Sequence, residues 1–364
     1  MAVFLNILLF VFILGFIVFV HEFCHFIAAK KANAKIEEFC IGFPPRIYQT
    51  KKGKIRYSIG IIPWGGFVKI LGEDPTEKQK KGSFYTLSFW QRFWIILAGV
   101  ISNFLLAIIL FTIVFSLGYP KVIESEKDLK IAKDISIQII YVEKNSPAEK
   151  AGLAVGDKIL KMESKKEKIY PKEVKDVQNF TKKYLGQKIT IEIKRKNKVL
   201  SLDVVPRKNI PKGQGPIGIM LEKTGIVKYS ILKSFILSFK ISFNYTKLTF
   251  WGLGRLIKDA ILGTKTPGIE LTGPIGAGNF FSKIANLGLV YIINFAAIIS
   301  LSLGIFNALP FPALDGGRLL FLLIEKIKRS PINPKVEKTV NQIGFFLLII
   351  LAIIIAIKDI RGLF

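Results

Sequence analysis

Residues 2–25 read AVFLNILLFVFILGFIVFVHEFCH. Nineteen residues without a charge, broken only by polar Asn6, lead directly into two histidines and a glutamate. A membrane-crossing helix needs about 20 predominantly apolar residues, so the stretch predicts a span whose end carries ionisable groups. A cleaved signal peptide would have a basic start and a small-residue cleavage site. No Lys or Arg precedes this run, and reactive residues follow it at once. Residues four apart share a helix face, so the imidazoles of His21 and His25 can converge on one ion. Two neutral His ligands suit Zn²⁺, and Glu22 is placed to take a proton from an attacking water. Ionisable groups at membrane depth are costly and are by default functional. These are the only two histidines in the chain.

Three more uncharged runs follow: Phe93 to Pro120, Ile284 to Leu314 and Thr339 to Ile357. The expectation is four spans. The 364 residues hold 53 Lys+Arg against 26 Asp+Glu, a formal net charge of +27, while 51% are hydrophobic. So apolar a composition excludes a mostly disordered chain, and two cysteines exclude a disulfide scaffold. The basic residues are spread among loops, which argues against nucleic acid as a partner. Lys30 to Arg92 holds thirteen of them and Arg318 to Lys338 six. By the positive-inside rule both loops are cytoplasmic, leaving the N-terminus and residues 121–283 outside.

That outer segment reads as a folded α+β domain over 121–225. Asn145 to Leu153 forms a turn opening a short helix. Ile189, Ile191 and Ile193, then Leu200, Leu202 and Val204, alternate with polar residues around a Lys196-Asn197 turn, the pattern of a half-buried hairpin. Between residues 226 and 283, Lys233, Lys240 and Lys247 lie along one side of a helix and Phe235, Phe239 and Phe243 along another. A basic stripe beside an aromatic face suits a membrane interface and lipid headgroups. On the cytoplasmic side, residues 43–70 suggest a hairpin around Lys51 to Lys54, followed by Pro63 and Gly65-Gly66.

A catalytic zinc site commonly has three protein ligands and one open position. The first acid after the third uncharged run is Asp315, in Asn307-Ala308-Leu309-Pro310-Phe311-Pro312-Ala313-Leu314-Asp315-Gly316-Gly317. Pro310 and Pro312 break the helix and the paired glycines permit a sharp turn. Cys24, three residues after His21, competes poorly with a His/His/Asp set.

These motifs in this order resemble the site-2 protease family of intramembrane zinc metalloproteases, in its RseP type with one PDZ domain. The resemblance rests on His21 to His25, Ile62 to Lys69, Gly99 to Phe104, the PDZ-like Asn145 to Leu160, Thr272 to Gly276 and Asn307 to Gly316. It implies a multi-pass protein of the bacterial inner membrane, four transmembrane helices arranged as residues 1–120 and 284–364. It adds a membrane-entering β-hairpin and one extracytoplasmic PDZ-like domain, with the active site toward the cytoplasm. It further implies His21, His25 and Asp315 as Zn²⁺ ligands, Glu22 as general base, and Asn307, Gly65, Gly66, Gly99 and Asn103 as substrate-binding positions. The implied substrates are single-span membrane proteins of the anti-sigma factor or signal-peptide remnant kind. Rival classes are a PDZ-bearing scaffold using zinc structurally and a zinc transporter. The first would have lost a base or ligand, and the second needs polar residues at several depths. Neither pattern is present.

Overall fold

The computed structural model describes residues 2–72, 82–196, 198–211, 213–264, 266 and 271–361. The chain opens with α1 (Ala2–Lys31), a hairpin of β1 (Ile36–Lys52) and β2 (Ile55–Ile70), a 3-10 turn at Phe84–Thr86 and α2 (Phe89–Leu117). There follow β3 (Tyr119–Val122), α3 (Glu126–Ile131), β4 (Ala132–Val142), α4 (Pro147–Lys150), β5 (Lys158–Glu163), β6 (Lys168–Ile169) and α5 (Val174–Lys183). Strands β7 (Ile189–Arg195), β8 (Lys198–Val204) and β9 (Ile219–Val227) complete the sheet. The remaining described elements are helices: α6 (Ile231–Leu262), α7 (Pro274–Ala285), α8 (Leu289–Ala308), α9 (Asp315–Lys328) and α10 (Pro334–Arg361).

Two compact units result. One comprises Met1–Ile113, Phe235–Asn286 and Tyr291–Phe364, the other Val114–Ser234 with Leu287–Val290. In the first, α1, α2, α8 and α10 are each long and apolar enough to cross a bilayer. Their large side chains point outward in quantity: Phe12 is 68% exposed, Leu105 52% and Phe346 63%. A soluble surface does not carry apolar area on this scale, and the chain is accordingly a membrane protein. The run Ile284 to Leu314 is not one helix. It breaks after Ala285, where Gly288 takes a positive φ of 123° that glycine alone adopts easily, and α8 starts at Leu289.

Helix α6 contains the predicted Lys and Phe stripes, and Phe235, Phe239 and Phe243 are all exposed. The buried side of α6 is instead a serine stripe, Ser234, Ser238 and Ser242. Small residues at four-residue spacing let two helices approach closely. Here Ser238 Oγ lies 3.0 Å from Thr112 Oγ1 of α2, and Tyr245 stacks on Phe111.

The hairpin starts before residue 43. It runs from Ile36 to Ile70 and takes in Gly65 and Gly66 within β2. Its inner half packs Phe39, Val68 and Ile70 on Phe26 and Ala29 of α1. Buried Glu38 accepts hydrogen bonds from Arg46 Nε and Nη2 at 2.7 and 2.8 Å, and from Ser58. Burial pushes the Glu38 carboxyl up, but the hydrogen bonds from Arg46 and Ser58 and the nearby guanidinium charges outweigh it. Its pKa is lowered.

The second unit is a seven-stranded sheet in the order β3-β9-β4-β5-β7-β8, with β6 beside β5. The alternating isoleucines Ile189, Ile191 and Ile193 are fully buried, and β7 pairs with β8 in the expected hairpin register. Asn197 of the predicted turn lies outside the described residues. Ser146 caps α4 by accepting from Glu149 N at 3.2 Å, as the sequence predicts for a helix opening there. Asp157, wholly buried, accepts from Arg195 at 2.7 Å twice and from Ala154 N at 2.8 Å.

Candidate metal centre

A 30-residue helix is about 45 Å long, and His21 sits about 15 Å from the end of α1. Both imidazoles therefore lie within the helix, ahead of its basic last turn at Lys30 and Lys31. Asp315 arrives from the other end of the chain as the first residue of α9. The loop that delivers it folds back tightly on that helix. A Cβ at Gly316 would lie 2.2 Å from the Leu309 carbonyl oxygen, and one at Gly317 2.2 Å from that of Phe311. Only glycine permits this approach at either position. Asn341 Oδ1 of α10 accepts from Ala313 N at 3.1 Å and fixes the loop from the outer side.

The three donor atoms converge. His21 Nε2 and His25 Nε2 are 3.2 Å apart, and each is 3.2 Å from Asp315 Oδ2. Ligands about 2.0–2.1 Å from a tetrahedral Zn²⁺ stand roughly 3.3 Å from one another. The observed triangle fits that ion. Three electron-pair donors aimed at one point repel unless positive charge lies between them, so the donor set itself calls for a cation. His25 Nδ1 lies 2.8 Å from the Ile95 carbonyl oxygen. A carbonyl only accepts, so Nδ1 carries the proton and Nε2 presents its lone pair.

Glu22 is half-buried beside Gly66, whose added Cβ would lie 3.5 Å from Glu22 Cγ. Glu22, both histidines and Asp315 line a cavity of about 400 Å³. Six consecutive residues of β2, Gly65 to Ile70, form one wall, and Asn307 of α8 lies on another. Sequence reasoning missed Arg318, one turn after Asp315 on α9, which also lines the cavity. Its spacing of three from the acid was the available signal.

Two expected substrate-binding residues are elsewhere. Gly99 and Asn103 of α2 are not in the cavity wall. They lie against the imidazoles on the α2 side. A Cβ on Gly99 would fall 2.1 Å from His25 Nε2 and 2.6 Å from His21 Cε1. Asn103 is fully buried, with Nδ2 3.1 Å from His21 Nδ1. Cys24 faces away, into an apolar groove between α1 and α2 beside Trp94 and Ser102. Among the described residues, His21, His25 and Asp315 form the one His/Cys/Asp/Glu group close enough to hold a metal.

Comparison with known proteins agrees with this chemistry. The model of peptidase family M50 matches residues 9–351. Zinc metalloprotease RasP of Geobacillus kaustophilus is 28% identical, over 99% of this chain and 98% of its own length. Regulator of sigma E protease of Haemophilus influenzae is 27% identical, over 96% of this chain and 97% of its own.

Proposed function

Because the chain belongs to peptidase family M50 and is a membrane-bound zinc metalloprotease, we propose that it cleaves peptide bonds within or beside the transmembrane helices of single-span proteins. The observation that carries this reading is a triangle of metal-ligating side chains from α1 and α9 with a strand edge beside it. In a helix the scissile carbonyl is occupied by a backbone hydrogen bond, so the substrate must be drawn out before water can attack. β2 pairs with β1 in a two-stranded sheet, and its residues 65–70 border the cavity. An extended substrate segment adds to that edge and is held straight by backbone hydrogen bonds.

His21, His25 and Asp315 hold the zinc, which supplies Lewis acidity for a carbonyl and acidifies water. Glu22 takes the proton from the attacking water and returns it to the leaving amine nitrogen as the C–N bond breaks. Asn307 donates its amide hydrogens to the substrate backbone or to the developing oxyanion. Gly65 and Gly66 keep the wall clear of side chains where the substrate backbone approaches.

The relative named for sigma E regulation supports anti-sigma factors as the substrate kind, and remnant signal peptides have the same single-span chemistry. The second unit acts as an extracytoplasmic PDZ-like domain that binds peptide ends or screens substrates by size. The Lys-rich loops support an orientation with the cavity toward the cytoplasm of a bacterial inner membrane, and the Lys and Phe stripes of α6 support a seat for it in the lipid interface. Glu22→Gln tests the mechanism with purified protein in detergent and a membrane-inserted substrate. The variant retains zinc and fold and loses cleavage. Undiminished cleavage refutes the assignment of Glu22.

A further inference from the structure

His25 has its ligating tautomer fixed by a backbone carbonyl, and His21 has no such partner. Its Nδ1 faces the side-chain amide of Asn103 at 3.1 Å, at a site where Asn103 is fully buried and His21 5% exposed. With Nδ2 toward the ring, the amide donates and Nδ1 must accept. A neutral imidazole then carries its proton on Nε2, the atom that lies 3.2 Å from both His25 Nε2 and Asp315 Oδ2. That tautomer cannot ligate. The two ends of a carboxamide are nearly alike in shape, so the opposite seat occupies the same space.

We propose that Asn103 is a positioning residue for His21. Its Oδ1 accepts the Nδ1 proton and so turns the Nε2 lone pair toward the metal. This rests on the metal-ligand role of His21 and gives Asn103 no contact with substrate. The surroundings hold Asn103 in place for that task. Ser300 Oγ of α8 donates to the Asn103 carbonyl oxygen at 2.9 Å, and Gly304, one turn on, leaves room where a Cβ would lie 3.2 Å from Asn103 Cβ. Gly99, four residues earlier on the same face of α2, lets the helix meet both rings. One ligand is thus oriented by the backbone of α2 and the other by a side chain of α2. Outer partners of this kind set ring orientation and ligand basicity.

The test measures zinc affinity of the full-length protein in detergent by competition with a chelator, alongside apoprotein thermal stability. Asn103→Ala removes the acceptor and lowers zinc affinity by about 10–100-fold. Asn103→Asp keeps an acceptor and has no donor, so its zinc affinity stays near that of the native protein. If Nδ2 were the functional end, Asp would be as damaging as Ala. That outcome overturns the proposal, as does native affinity in Asn103→Ala. A purely structural role would lower apoprotein stability in both variants without this Ala/Asp split, and also overturns it. His21→Ala in the same assay separates the two levels. Native zinc affinity in that variant refutes the ligand set itself, whereas its loss together with an intact Asn103→Ala refutes only the role of Asn103.

Discussion

Gly99→Ala adds one methyl group directly against the metal triangle. The new Cβ would stand 2.1 Å from His25 Nε2, 2.6 Å from His21 Cε1 and 2.7 Å from His25 Cε1, where ordinary contacts begin at 3.4 Å. One of the two partners must therefore retreat by about 1.3 Å. The imidazole of His25 is not free to do so, because Nδ1 is tied to the Ile95 carbonyl oxygen at 2.8 Å. Metal–ligand distances are held to within about 0.2 Å, and a misplacement of about 1 Å at a reacting centre costs about 100-fold in rate. The expected result is a loss of at least about 100-fold in cleavage and a fall in bound zinc. The accompanying cost in stability is the about 1–3 kcal/mol of an overpacked core. Zinc content by elemental analysis and cleavage of a single-span substrate in detergent give both readouts. Gly252→Ala on α6, where an added Cβ meets nothing within 4 Å, is the control and stabilises its helix by about 0.5–1 kcal/mol. Full zinc occupancy with native cleavage in Gly99→Ala would show that the imidazoles do not rest on α2 as described.

Asp315→Asn leaves the triangle without its negative ligand, so zinc affinity falls and cleavage is lost while the helices persist. A metal-buffer titration followed by an activity assay checks this. Arg195→Ala strands the buried Asp157 carboxylate with Ala154 N as its remaining hydrogen-bond donor. It lowers the stability of the second unit by about 3 kcal/mol, seen in thermal unfolding, and leaves zinc content unchanged. Glu38 has a carboxyl pKa below its ordinary 4.5 in the folded hairpin. Its contribution to stability is present above that ordinary value and disappears as pH falls through the lower folded one. Amide-exchange protection of β1, corrected for intrinsic rate, is therefore steady from neutral pH down to about 5 and declines in stronger acid. Glu38→Gln removes this acid-side step.

The parts of the site that follow a short period were legible in the sequence. His21 and His25 share a face because four residues nearly complete a turn, and Asp315 stood out as the first acid after an uncharged run. The spans were legible because bilayer thickness sets their length. Close approach between distant elements was not. Gly99 and Asn103 read as residues on a substrate path, since nothing local tells which side of α2 meets α1. The full hairpin was hidden because buried Glu38 and the Pro44-Pro45 pair disturb the alternation that marks a strand, and the glycines of β2 look like loop. Phe235, Phe239 and Phe243 pointed to an interfacial face of α6, but its packed side was not legible: serines make that contact, because helices in lipid associate through small residues rather than through apolar burial.

The ligands that meet at Asp315 lie 290 residues apart in the chain. During synthesis, α1 and its HExxH segment are complete long before α9 exists. Until Asp315 follows the third span into place, the site has two of its three protein donors, and the loop that bears the third has yet to fold against α9. Assembly of the three-donor site therefore waits for α9. The order of the elements delays the activity proposed on membrane helices until the first three apolar helices are in place.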